Sequence, residues 1–124
     1  MTHTKEKTMN ATQVTNSFIN LNRLRWSADD EAWLKAVFSS TLKVTRAKKQ
    51  FTVDDIWEQV DLLSAKNKLP FSRIDHRILG SMLRHMSWLG LLGTTGYYTK
   101  SIRPKGGARP VSIWESYADS KAVA

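Results

Sequence analysis

The sequence predicts a small α+β domain in which three helices are followed by a C-terminal β-hairpin. Three observations predict it: two capped amphipathic stretches, a third stretch with one apolar and one cationic face that stops at a glycine, and two runs of β-branched and aromatic residues around a Pro/Gly loop. A length of 124 residues, with 41% apolar side chains and five tryptophans, suits one domain with a modest core. With no cysteine, disulfides, thiolate zinc sites and cysteine nucleophiles are excluded. The first residues lack the apolar core of a signal peptide, and no stretch approaches the ~20 apolar residues that span a bilayer. The expected location is therefore the cytoplasm, with no membrane partner.

Residues 1–17, MTHTKEKTMNATQVTNS, are too poor in apolar side chains to offset the entropy of ordering them, and a disordered polar arm is expected there. The domain is expected over 18–117. Phe18 to Trp26 alternates loosely between apolar and polar, as a short strand or extended lead-in would. Ser27 before Asp29, Asp30 and Glu31 starts the first helix, because a hydroxyl caps free amides while carboxylates sit at the positive end of the dipole. Trp33, Leu34, Val37, Phe38, Thr41 and Val44 then share a face. Thr52 with Asp55 three residues on forms a capping box ahead of a second stripe, Val53, Ile56, Trp57, Val60 and Leu63, which should end near Ala65.

Pro70 pushes Leu69 out of helical geometry, so Lys66 to Phe71 is a connection. From Arg73 a third helix is expected, with Ile74, Ile78, Leu79, Met82, Leu83 and Met86 on one broad half. Arg73, Arg77, Gly80 and Arg84 lie in a narrow stripe on the other half, flanked by His76 and Ser81. Gly90 stops this helix. Tyr97–Arg103 and Val111–Tyr117 read as strands of a hairpin with a basic, glycine-containing tip, and residues 118–124 as a flexible tail.

Charge is sorted along the chain. From Lys66 to Ser116 nine basic residues face two acidic ones, a balance of +7, whereas Ser27 to Ala65 has five against seven, or −2. A polyanion binds by exchanging condensed counterions for fixed Lys and Arg, so a basic surface confined to one unit is the footprint of a nucleic-acid binder.

The run GSMLRHMSWLGLL from Gly80 to Leu92, followed by TKSIRP from Thr99 and RPVSIW from Arg109, resembles the winged helix-turn-helix family of DNA-binding domains. The wing is similar to that of small proteins encoded by bacteriophages and prophages. The resemblance covers Ser27 to Tyr117 and implies a three-helix winged helix-turn-helix with a C-terminal β-hairpin wing. It further implies that the third helix enters the major groove while the wing touches the adjacent backbone or minor groove. On that basis Ser72, Arg73, His76, Arg77 and Arg84 face DNA from the helix, and Lys100, Arg103, Lys105 and Arg109 from the wing. The family's turn between its second and third helices is tight. Here Ser64 to Ser72 is longer, and its Lys66 and Lys68 are candidate phosphate contacts. Gly80 either lets the backbone approach a groove wall or marks a helix–helix contact.

Enzymatic chemistry has little to work with, and neither catalysis, a cofactor nor a metal is expected. Histidines occur only at 3, 76 and 85, and His85 at the margin of the apolar face suits a packed, hydrogen-bonded imidazole. Asp54, Glu58 and Asp61 share a helix side that reads as solvated rather than as a Mg²⁺ site. Trp33, Trp57, Trp88 and Trp114 are expected in the core, leaving Trp26, Tyr97 and Tyr98 as exposed contacts. The expected function is non-catalytic binding of double-stranded DNA, as a phage-type transcriptional regulator or replication accessory. The alternative is an adaptor or inhibitor that grips a host or phage protein with the same basic surface. The sequence leaves the oligomeric state open; in a homodimer, Phe18 to Trp26 could supply the extra contact.

Overall fold

The computed structural model describes residues 9–22, 26–104 and 107–117. Four helices, α1 (Ala11–Asn22), α2 (Ala28–Ala47), α3 (Val53–Ala65) and α4 (Ile78–Trp88), accompany three strands, β1 (Gln50–Phe51), β2 (Leu92–Lys100) and β3 (Pro110–Ser116). The strands form one antiparallel sheet in the order β1-β3-β2. The expected α+β class holds, with one helix and one short strand more than the sequence predicts.

The added helix is α1. Residues 11–17 were expected in a polar arm and 18–22 in an extended lead-in; both lie in this helix, while residues 1–8, 23–25 and 118–124 fall outside the described residues. Asn10 and Gln13 explain it. The Asn10 amide donates to Gln13 Oε1 at 2.9 Å and the Gln13 amide to Asn10 Oδ1 at 2.8 Å, a reciprocal cap. Val14 and Phe18, four residues apart, are then buried against the core. The Phe18 ring meets Phe38 edge-on at 5.5 Å and His85 at 5.5 Å. A single buried phenylalanine stabilises by about 2–3 kcal/mol, enough to hold a short helix with few other apolar residues. Phe18 is therefore not available as a dimer contact, and Trp26 packs half-buried against it rather than standing exposed.

The caps foreseen for the next two helices are both present. Ser27 Oγ accepts from the Asp30 amide at 3.0 Å while Asp30 Oδ2 accepts from the Ser27 amide at 3.2 Å. The Thr52 amide donates to Asp55 Oδ2 at 2.9 Å. Trp33, Leu34, Val37, Phe38, Leu42 and Val44 of α2 meet Ile56 and Val60 of α3 and Leu79, Met82, Leu83 and Met86 of α4 in one core.

β1 pairs Phe51 with Trp114 and Gln50 with Glu115, and β2 pairs with β3 from Leu92↔Ser116 to Lys100↔Pro110. The ladder is interrupted between Thr94 and Tyr98 around Gly96, whose φ of +84° favours glycine. Strand β2 begins earlier than predicted, Leu92 and Gly93 pairing with Ser116 and Glu115, and Tyr117 closes over Gly93, where any Cβ would fall on the phenol ring. It ends before Ser101–Arg103, whose polar groups turn to α3 instead.

Candidate nucleic-acid interface

The connection between α3 and α4 runs from Lys66 to Arg77, longer than predicted because α4 starts at Ile78. At its start Asn67 takes a left-handed conformation, φ +57°, and the Lys68 amide reaches back to the Leu63 carbonyl at 2.8 Å. This closes α3 and leaves Lys66 and Lys68 exposed.

Ser72, Arg73, His76 and Arg77 therefore precede α4 rather than line it. Local side-chain bonds capture the amides that a helix would use. Ser72 Oγ accepts from the Ile74 amide at 3.1 Å, and Asp75 Oδ1 accepts from the Arg77 amide at 2.9 Å. The Ile78 amide then donates to the Asp75 carbonyl at 3.0 Å, which opens the helix.

Each of these four residues has a definite environment. The Ser72 hydroxyl donates to Asp30 Oδ1 at 2.8 Å and so ties the segment to the start of α2. That bond, with the Ser27 amide, holds the Asp30 carboxyl below its ordinary range. His76, exposed, stacks on two indoles, its ring centroid 4.8 Å from that of Trp57 and 5.7 Å from that of Trp33, and so ties the segment to α3 and α2. Arg73 is exposed and makes no ion pair among the described residues. Arg77 is 91% exposed yet paired: its Nη2 lies 2.7 Å from Asp75 Oδ2. Hydrogen bonds from Arg77 lower the Asp75 carboxyl to about 2.

On α4 itself, Gly80, Ser81 and Arg84 follow Arg77 along the face away from Leu79, Met82, Leu83 and Met86. A Cβ at Gly80 would meet only Arg84 Nη2, at 3.9 Å. No helix packs on Gly80 among the described residues, which removes the helix–helix explanation for it. The opposite face of α4 holds His85, buried, within 2.9 Å of Ser17 Oγ on α1 and pushed below its ordinary pKa by burial. Trp88, expected in the core, is 71% exposed at the end of the helix.

The hairpin brings Lys100 and Arg109 onto neighbouring rungs, Lys100 opposite Pro110 and the Ser101 amide bonded to the Arg109 carbonyl at 2.8 Å. Lys105 and Gly106 lie outside the described residues. Arg103 turns inward, its Nη1 3.0 Å from Asp61 of α3. The residue that sequence reasoning missed is Asp54, assigned to a solvated carboxylate face. It is buried in the first turn of α3, where Oδ1 accepts from Ser101 Oγ at 2.9 Å and Oδ2 from the Ile102 amide at 2.8 Å. The positive end of the α3 dipole favours its charge there. Its spacing to Asp61, seven residues along one helix side, was the signal in the sequence; its partner in the hairpin was not.

Of Asp54, Glu58 and Asp61, the first and last thus hold the hairpin, and no group of three His, Asp or Glu side chains is placed to hold a metal among the described residues. Lys48 and Asp55, 2.7 Å apart, pair across the shallow groove between α2 and α3. No helix of the described residues is long and apolar enough to cross a membrane. Tyr97 and Tyr98 are exposed on β2, as are Phe71 and Ile102 in the loops. Compared with protein-family models, with curated proteins and with solved structures, the chain matches none.

Proposed function

We propose that the chain is a non-catalytic double-stranded DNA-binding protein of winged helix-turn-helix type, with α4 and the turn before it directed at the major groove and the β2–β3 hairpin at the flanking backbone. One observation carries the reading: Arg77 in the turn before α4 and Arg84 on its exposed face flank Gly80, whose missing side chain leaves only the flexible end of Arg84 between its backbone and an approaching groove wall. The helix runs directly into a two-stranded hairpin bearing Lys100 and Arg109, which supports the wing assignment. The similarity of that wing to small phage-encoded proteins extends the proposal to a transcriptional regulator or replication accessory.

Arg84→Ala and Lys100→Ala test it. By fluorescence anisotropy on labelled duplexes, Arg84→Ala relaxes sequence preference, whereas Lys100→Ala weakens all duplexes about equally and reduces the salt slope by about one. Duplex binding by both variants that matches the parent overturns the assignment. A second reading, an adaptor that grips an acidic protein, is favoured by the exposure of Phe71, Trp88 and Ile102. It is recognised by one defined partner retained at salt concentrations that release DNA.

A further inference from the structure

Arg77 holds an unusual position for a cation offered to DNA, because a carboxylate already sits beside it. Arg77 Nε lies 3.0 Å from Asp75 Oδ2 and Nη2 lies 2.7 Å from the same oxygen, while Oδ1 takes the Arg77 backbone amide at 2.9 Å. One carboxylate thus holds both the backbone and the side chain of the same residue. The segment that carries the pair is itself anchored at Ser72 and by the stacking of the His76 imidazole on Trp33 and Trp57.

We propose that Asp75 is a positioning residue that presents the Arg77 guanidinium as a fixed fork for the O6/N7 edge of a guanine in the major groove. The proposal rests on the DNA-binding reading given above. A guanidinium carries five donors on a rigid plane. The Nε–Nη2 edge is engaged by Asp75, so the outer edge, Nη1 with the remaining Nη2 proton, faces solvent on a side chain that is 91% exposed. That outer edge has the spacing of the two acceptors on guanine.

The local charge selects a base over a phosphate. An arginine paired with a carboxylate is neutral as a unit, so it gains little from a phosphate and Asp75 repels one. Its polarised outer donors still bond a neutral base edge. Holding the fork in place before binding also removes part of the entropy cost of ordering a long side chain. Asp75 should therefore raise discrimination while it lowers indiscriminate affinity, two effects that a merely structural residue does not separate.

The test uses the full chain, a duplex enriched from a randomised library, the same duplex with the read guanine replaced by 7-deazaguanine, and an unrelated duplex of equal length. Asp75→Asn keeps an oxygen for the Arg77 amide but leaves no carboxylate to grip the guanidinium, and an unchanged melting temperature confirms folding. The expected result is that loss of N7 weakens the parent about tenfold and leaves Arg77→Ala and Asp75→Asn nearly indifferent. Asp75→Asn also binds the unrelated duplex more tightly than the parent does, and the double variant discriminates no worse than Arg77→Ala. If Arg77→Ala abolishes the deazaguanine effect while Asp75→Asn leaves it whole, the positioning role is wrong and the DNA-binding reading stands. A parent that binds no duplex overturns both.

Discussion

Arg77 and Arg103 each meet a carboxylate, and the two pairs are built differently. Asp75 lies two residues before Arg77 in the same segment, and both side chains stand in solvent, 91% and 59% exposed. Asp61 belongs to α3, forty-two residues from Arg103, whose side chain is only 27% exposed. The local pair limits the directions of one side chain and joins no two elements of the fold. The distant pair does the reverse: with Asp54 it fastens the hairpin to α3 and withdraws a cation from the outer surface. The same chemistry thus presents one arginine and retires another.

The hairpin attachment is the side of this contrast that breaks most easily. Asp54→Ala strips the acceptor from Ser101 Oγ and the Ile102 amide, and unfolding in urea should show a loss of about 2–4 kcal/mol. A next, opposite effect belongs to the presenting side: Gly80→Ala should raise stability by up to about 1 kcal/mol, because the added methyl meets only the flexible end of Arg84, at 3.9 Å, in the first turn of a helix. The same change should weaken duplex binding if the groove wall approaches Gly80, so stability and affinity move apart. Arg103→Ala should cost up to about 1 kcal/mol in the same denaturation assay, whereas Arg77→Ala should leave the melting curve where it was.

The smallest effect concerns pH and separates the exposed pair from the buried imidazole. Burial holds His85 below its ordinary value of 6.5, so the folded chain favours the neutral ring and the unfolded chain takes up the proton first. Stability is then full above about pH 6.5 and falls as pH drops below it. Asp75, lowered to about 2 from 3.8 but fully exposed, contributes little, and what it contributes is lost only as pH falls from 3.8 toward 2, below the range compared. Melting temperatures at about pH 7.5 and about pH 5.5 should therefore differ in the parent and in Asp75→Asn alike, and differ less in His85→Gln.

Much of this architecture was legible in the sequence where the governing interactions are local. Ser27 with Asp30 and Thr52 with Asp55 announce their helices because a cap needs only three residues, and the apolar stripe from Trp33 to Val44 is buried as its spacing demands. Gly90, at φ +83°, ends α4 as foreseen. α1 escaped notice because its apolar content is slight, although Asn10 and Gln13 carried a cap signal. The start of α4 was misjudged because Ser72 and Asp75 suit a helix cap and a non-helical turn equally well, and the Asp30 and tryptophan contacts that decide between them come from elsewhere in the chain. Candidate site residues were correctly seen as exposed at Arg73, Arg77, Arg84, Lys100 and Arg109. The roles of Asp54 and Asp61 depend on where a hairpin more than forty residues later comes to rest, which no local pattern encodes.

The imidazole of His76, lying flat on two indoles, also equips the molecule with an optical gauge. A ring seated on an indole alters the surroundings of the excited state, so the light from Trp33 and Trp57 reports whether the turn before α4 is in place. Any ligand that lifts this turn changes the emission of these two indoles above the constant background of the other three tryptophans, with no label attached.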